Sequence, residues 1–111
     1  QFKTVLATTD TDTSNTGSVT LDFAANQNFI LTFTGNVTLA NPSTEAVGQA
    51  GVIVIIQDGT GSRTLGLGTD YETPGGAALA ISTAASAVDI IPYFVKAAGS
   101  IQLGAPQVAF S

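Results

Sequence analysis

The groups best suited to chemistry in this sequence are a few carboxylates. Glycoside hydrolysis needs two carboxyl groups that converge in a cleft, and the candidates for such a pair are Asp58, Asp70, Glu72 and Asp89. Asp70 and Glu72 lie among turn residues, and so small a domain is not expected to form the cleft. Asp89 lies inside an apolar segment, where we expect it to accept turn hydrogen bonds or to pair with Arg63. Because the chain has no histidine and no cysteine, a nucleophilic serine has no imidazole base, and we predict no catalytic residue and no enzyme.

A glycine-rich segment follows a run of apolar residues, as a nucleotide-binding turn does. Gly59 and Gly61 supply the first part of a G-x-G-x-x-G pattern, but its third glycine is missing and no Gly-Lys-Ser/Thr occurs. The residues after Arg63 alternate and do not begin a helix. We therefore predict a hairpin turn at Asp58-Gly59 and no bound cofactor.

Two aspartates near the start of the chain have the spacing of metal ligands. Asp10, Asp12 and Ser14 match the first positions of a calcium-binding loop. The sixth and twelfth positions of that loop require glycine and glutamate, but this chain has Asn15 and Leu21 there. We therefore predict a solvated loop before a strand and no metal site, while a weak cation site near Asp10 and Asp12 stays open.

The elements that carry these residues are predicted to be strands. Apolar and polar residues alternate in SVTLDF (18–23), NFILTFTG (28–35) and GNVTLAN (35–41), as in strands with one buried face. GVIVIIQD (51–58) is apolar on both faces, which indicates a central strand between two layers. AVDIIPYFVKA (87–97) is similar, but its proline cannot donate a hydrogen bond, so an edge position or a bulge is expected at Pro92.

The remaining segments complete an all-β prediction. FKTVLAT (2–8) and SIQLGAPQVAF (100–110) are strand-like, and Gly35-Asn36 indicates a tight turn or bulge. The alanine-rich segment 76–89 is predicted as an extended loop plus strand, with a short helical turn as the alternative. We predict a single antiparallel β-sandwich, jelly-roll-like and of about eight strands. It forms one domain, residues 1–111, with extended terminal strands.

Charge is the most informative feature of the composition. The 111 residues include 8 acidic and 3 basic ones, a net charge of −5 and a charged fraction of 10%, whereas about a quarter of the residues are charged in typical domains. Three scattered cations form no basic patch, so nucleic acid and anionic membranes are excluded as partners, and the apolar runs are too short to span a bilayer. The uncharged surface indicates either burial against other subunits or the threonine-rich exterior of a secreted or virion protein. Because the sequence starts at Gln1, we expect that an initiator methionine or a longer N-terminal part has been removed.

Three phrases together resemble a module of tailed-bacteriophage virion proteins. They are NFILTFTGNVTLANP, GQAGVIVIIQDGTGSRTLGLGTDYETPGG and LAISTAASAVDIIPYFV, and the resemblance covers roughly residues 17–97. It implies a β-sandwich used for assembly or attachment, and it assigns no catalytic, cofactor-binding or metal-binding residue. From Lys96 onward the sequence differs from the aromatic-rich continuation of many members, which leaves open the part of the virion to which the chain belongs.

The resemblance leads to two competing roles on the virion surface. The favoured one is a small capsid decoration (cement) protein that binds the capsid exterior and stabilises it, as a homotrimer whose partners are the major capsid protein or other virion proteins. The alternative is a tail-fibre or receptor-binding module, also trimeric, whose loops Gly59–Ser62 and Asp70–Gly76 face host glycans. Tyr71 and Tyr93 are the aromatic residues available to stack on a sugar. A glycan hydrolase ranks far behind both.

Overall fold

Residues 8–110 are described by a computed structural model, and they form one curled sheet of eight strands with a single 3₁₀ turn at Pro74–Gly76. The strands are β1 (Thr9–Thr20), β2 (Asn28–Ala40), β3 (Ala50–Gln57), β4 (Leu65–Leu67), β5 (Tyr71–Glu72), β6 (Val88–Ala97), β7 (Ser100–Leu103) and β8 (Gln107–Phe110). The all-β class and the strand number are confirmed. The strand predicted at 2–8 lies, except for Thr8, outside the described residues. Within the described part, no helix is long and apolar enough to cross a membrane.

The strand pairing is mixed, so the prediction of an antiparallel arrangement is wrong. The strand order is β1-β2-β3-β6-β7-β5, with β4 also paired to β2 and β8 to β6. Four pairings are parallel and three are antiparallel. The physical reason lies in the connections: residues 21–27 carry the chain from the end of β1 back to the level of its start, and buried Leu21 and Phe23 anchor this crossing in the core.

β1 and β2 bend together and so curl the sheet around the core. Asn15 of β1 pairs with Phe33, whereas Gly17 pairs with Val37, so β2 contains extra residues between the two pairs. The prediction of a turn or bulge at Gly35-Asn36 is confirmed as a bulge. A Cβ atom at Gly35 would lie 2.1 Å from Oγ1 of Thr16, so only glycine lets the two strands approach this closely.

The turn after β3 is present but does not form a hairpin. β3 and β4 both pair with β2, in parallel, and not with each other. The bend in β2 explains this: β3 pairs with the part of β2 before the bend and β4 with the part after it. β3 and β4 therefore lie beside β2 on either side of its bend, and the prediction of a hairpin at Asp58-Gly59 is wrong.

The core lies inside the curl and is built from alternate residues of the strands. The buried apolar side chains are Leu21, Phe23, Phe29, Leu31, Phe33, Val37, Leu39, Ile53, Ile55, Tyr71, Ile91, Tyr93, Val95, Ile101 and Leu103. At its centre the Phe23 ring lies 5.1 Å from that of Phe29 and 5.2 Å from that of Tyr93, between ring centroids. The two walls of the curl face each other across this core, an arrangement consistent with the predicted sandwich.

Two local predictions on β6 and its approach have different outcomes. Pro92 pairs with Val52 without a register shift, in a strand that has neighbours on both edges, so the prediction of an edge position or a bulge there is wrong. Its carbonyl accepts a hydrogen bond from Gly104, in the gap between β7 and β8, and its nitrogen faces the same gap, where no ladder bond is needed. The extended loop predicted before the strand is confirmed, because regular structure resumes only at Val88.

Candidate functional site

The glycine-rich turn after β3 is closed by its own hydrogen bonds. The Asp58 carboxylate accepts from the backbone N–H groups of Thr60 at 3.1 Å and Gly61 at 3.0 Å. The N–H of Ser62 donates to Thr83 O, and that of Arg63 donates to a side-chain oxygen of Gln57. A phosphate cradle needs such N–H groups free and pointing at the ligand. This turn uses them internally, so it is a structural turn.

Arg63 pairs with Asp58 and not with Asp89, the partner considered from the sequence. Its Nε and Nη2 atoms lie 3.2 and 2.8 Å from the two oxygens of Asp58. The guanidinium is the main reason that the pKa of Asp58 is lowered to about 2, and the N–H of Gly61 contributes further. Asp58 is thus held as an anion across the neutral range, which disfavours any role in general acid catalysis.

Asp89 accepts two backbone hydrogen bonds, as one of its two sequence-based interpretations predicts. It is 1% exposed, and it accepts from the N–H of Ser82 at 2.5 Å and from that of Ala109 at 2.9 Å. Next to it, buried Gln57 donates to the carbonyls of Arg63 and Ser82. Through these hydrogen bonds, Asp89 and Gln57 connect the turn after β3, the 76–89 loop and β8 to the middle of the sheet.

The carboxylates proposed as a catalytic pair have separate partners. Glu72 accepts from Ser100 Oγ at 2.8 Å and from Gln102 Nε2 at 2.9 Å, while Lys96 lies 3.9 Å away. These bonds, that of Gln102 foremost, lower the pKa of Glu72. Asp58 pairs with Arg63, and Asp89 accepts hydrogen bonds from backbone N–H groups. The structure therefore does not bring the four candidate carboxylates together.

A different pair of carboxyl groups does meet, and the sequence analysis missed it. Glu45, from the loop before β3, lies beside Asp70 and accepts a hydrogen bond from the N–H of Gly99 at 2.7 Å. Burial and then Asp70 raise the pKa of Glu45, and the N–H of Gly99 opposes the rise. The two residues lie far apart in the sequence, in segments with no motif, so no sequence signal indicated their contact.

Asp10 and Asp12 lie in a strand and not in the predicted loop. Both are exposed residues of β1, and their side chains are free to be solvated as expected. Oδ1 of Asp12 accepts from the N–H of Ser14 at 3.3 Å, and Ser14 Oγ lies 3.2 Å from Thr34 Oγ1. An extended strand does not wrap its side chains around one ion as a calcium loop does. Among residues 8–110 no cluster of three or more metal-ligating side chains is present.

A cleft of about 390 Å³ lies beside β4. We call it the β4 cleft. It is lined by β4 itself, by Tyr71 and by residues between Thr73 and Leu79. β4 pairs with β2 on one edge, and the cleft borders a segment that contains Gly75 and Gly76, both with positive φ. The loop Asp70–Gly76, which the sequence analysis placed toward host glycans in the tail-fibre alternative, thus forms part of the wall of the β4 cleft.

The two tyrosines predicted to stack on sugars are buried, so that prediction is wrong. Tyr71 is 6% exposed and Tyr93 is 4% exposed. Tyr93 lies in β6 between inward-facing residues, and its hydroxyl donates to Gln27 O and accepts from Gln49 Nε2. The buried hydroxyl of Tyr71, in contrast, has no hydrogen-bond partner among residues 8–110. Burial, and then the charges of Glu45 and Asp70, raise the pKa of Tyr71, which stays a neutral donor.

An all-β chain whose polar groups mostly serve its own turns has the features of a structural module, and the comparisons with known proteins agree. Residues 9–100 match the family described as "Putative phage tail fibre C-terminal domain". The protein is a phage structural protein and a component of the virion particle. It belongs to this phage tail fibre C-terminal domain family, which confirms the phage virion module identified from the sequence. The searches of curated proteins and of solved structures returned no match.

Proposed function

We propose that this chain is the attachment module at the end of a phage tail fibre, displayed on the virion surface, and that it binds host-surface glycans without catalysis. The family name supports the tail fibre, which was the alternative of the two roles considered from the sequence. The observation that carries the attachment role is the β4 cleft. It lies beside Asp70–Gly76, one of the two loops expected to face the host.

The lining of the β4 cleft suits a sugar. It joins apolar residues, such as Leu65 and Leu79, to the hydroxyl-bearing residues Thr69 and Thr73. Ligand sites of this kind combine apolar walls with a few polar groups that fix orientation.

The location of the chain on the virion is the first test. Gold-labelled antibody against the purified protein is applied to intact virions and examined by electron microscopy. Label confined to the tail tip or fibres is expected. Label distributed over the whole head would overturn the proposal in favour of capsid decoration. Stripping the protein should then lower the heat resistance of the capsid.

The β4 cleft itself is tested by filling it. Ala78→Trp places a large side chain at an exposed position of the lining, whereas Ala80→Trp places the same side chain at an exposed position outside it. Purified protein is mixed with host cells before phage is added, and adsorption is counted. The wild type and Ala80→Trp should block adsorption, and Ala78→Trp should block it at least about tenfold less well. Equal blocking by the two variants would place the receptor contact elsewhere.

A further inference from the structure

β4 is paired along one edge, and its other edge has no strand beside it. Thr64 O accepts a hydrogen bond of 2.9 Å from β2, and the N–H of Gly68 donates one of 2.7 Å to β2. Alternate residues of a strand direct their backbone groups to opposite edges, so those of Leu65 and Leu67 point away from β2. Among residues 8–110, β4 pairs with β2 alone. The N–H and C=O groups of Leu65 and Leu67 therefore lie on an open sheet edge.

The β4 cleft lies along this open edge. A cavity against one face of a strand is lined by alternate residues, because successive side chains point to opposite faces. The β4 cleft is instead lined by four consecutive residues, Leu65, Gly66, Leu67 and Gly68. Its opposite wall includes three further consecutive residues, the segment 77–79. The outward N–H and C=O groups of β4 therefore border the β4 cleft.

The two walls of the β4 cleft are joined at both of its ends. At one end, the loop that leads from β4 to segment 77–79 lines the cleft itself. At the other end, Gln57 Nε2 donates to Arg63 O at 2.9 Å and to Ser82 O at 3.0 Å. This side chain thereby holds the chain before β4 close to the chain after segment 77–79. A continuous peptide strand has to leave a cleft through its ends, so this shape favours a compact group.

The wall opposite β4 also has backbone groups without partners. Ala77 uses both of its own, because its N–H donates to Pro74 O at 3.3 Å and its C=O accepts from Thr73 Oγ1 at 2.5 Å. The N–H and C=O groups of Ala78 and Leu79 make no hydrogen bond within residues 8–110. A planar secondary amide directs its own N–H and C=O in opposite directions. One such amide between the walls can therefore bond to both, as a peptide group does in the middle of a sheet.

The rest of the lining is largely apolar and carries no charge. Leu65, Leu67 and Leu79 are partly buried and pack against the core, so they place apolar surface beside the unpaired backbone groups. No residue that lines the β4 cleft is acidic or basic, and the chain has a net charge of −5. An anionic sugar finds no cation there and is repelled by the chain as a whole. An ammonium group loses water there without gaining a carboxylate, so a neutral ligand is favoured.

We propose that the β4 cleft binds the acetamido group of a neutral N-acetylated amino sugar. The C=O of that group accepts from an outward N–H of β4, its N–H donates to a carbonyl of the opposite wall, and its methyl group packs on the leucines. The volume of about 390 Å³ lies near the lower end of the range of ligand pockets, roughly 300–1,000 Å³, as suits a small ligand. The inference rests on the proposed function, because it names the class of glycan that the same cleft takes.

Matched methyl glycosides test the inference. Those of N-acetylglucosamine and N-acetylgalactosamine are compared with those of glucose and galactose, which have a hydroxyl group in place of the acetamido group. Each is titrated into the isotope-labelled protein, and the amide signals in the NMR spectrum give the dissociation constant. At least one N-acetyl glycoside should bind at least about tenfold more tightly than its hydroxyl counterpart, because the latter leaves backbone groups of the cleft unpaired. The amide proton of Leu65 or Leu67 should move downfield, whereas that of Gly68, which already donates to Leu39 O, should not.

The two tryptophan variants show whether the sugar lies in the β4 cleft. Ala78→Trp should abolish binding of the N-acetyl glycoside, whereas Ala80→Trp should retain it, because only the first position belongs to the lining. Equal affinities for the N-acetyl and hydroxyl glycosides overturn the inference and leave glycan attachment standing. Absence of binding by both N-acetyl glycosides also overturns the inference. The adsorption assay with the same two variants then decides on the proposed function by itself.

Discussion

The Asp89 carboxylate accepts a hydrogen bond of 2.9 Å from the backbone N–H of Ala109 and thereby ties β8 to β6. Its other oxygen accepts from Ser82 at 2.5 Å. This one buried side chain thus connects two segments that are distant in the sequence. Ala109 adopts a φ of 60°, which is unfavourable for a residue with a side chain, so the bond to Asp89 also stabilises an otherwise costly backbone conformation.

Asp89→Asn should destabilise the protein by about 2–3 kcal/mol, because asparagine has a single acceptor oxygen for two N–H donors. Urea unfolding measures the loss, and hydrogen exchange at the Ala109 amide should accelerate in the variant. Asp10→Asn, at an exposed residue of β1, is the control and should change the stability by less than about 0.5 kcal/mol. Similar effects of the two substitutions would contradict the role assigned to Asp89.

The glycines of the turn after β3 should differ sharply in their tolerance of alanine. Gly61 has a φ of 75°, and a Cβ there would lie 2.7 Å from Thr83 O and 2.8 Å from Ala85 N. Gly61→Ala should therefore cost about 2–3 kcal/mol of folding free energy. Gly59, two residues earlier, has nothing within 4 Å of such a Cβ, so Gly59→Ala should be neutral. Thermal unfolding of both variants tests the difference, and an equal loss would refute the close packing of the turn against the 76–89 loop.

The sequence predicts which residues face the core far better than it predicts which strands pair. Period-2 alternation correctly groups Phe29, Leu31 and Phe33, because burial of one face is a local property of a strand. Pairing is not local: Val37 lies beside Leu65 because the chain returns to the bend in β2. No short motif records that return, and an Asp-Gly pair favours a hairpin wherever it occurs.

The same contrast between local and non-local features decides which of the candidate site residues could be predicted from the sequence. The burial of Tyr93 follows from its place two residues from each of Ile91 and Val95, a signal present in the sequence. The contact of Glu45 with Asp70 joins two loops and leaves no such signal. The segment that forms β3 is apolar on both faces, which predicts a layer on each side of it, but the sequence does not say whether the second layer comes from the same chain.

Glu45→Gln should stabilise the protein near neutral pH. The folded state raises the pKa of Glu45 above the unfolded value, so its favourable contribution is present at low pH and is lost as the pH rises through the folded pKa. Glutamine keeps an oxygen for the N–H of Gly99 and adds a donor for Asp70. At pH 7 the gain should be about 0.5 kcal/mol, as for exposed charge pairs, and at pH 3 it should vanish. Urea unfolding at both pH values measures it, and a gain of the same size at pH 3 would contradict the raised pKa of Glu45.

The two buried tyrosines should respond oppositely to loss of the hydroxyl. Tyr93→Phe removes a group bonded to Gln27 and Gln49, leaving their polar atoms unpaired, and should cost about 1–2 kcal/mol. Tyr71→Phe removes a hydroxyl that has no partner in the described part of the chain, and it should leave the stability unchanged or raise it by up to about 1 kcal/mol. Both substitutions delete one oxygen from a buried ring, so each is the control for the other. A loss of stability equal to that of Tyr93→Phe would instead mean that the Tyr71 hydroxyl is bonded within the folded protein.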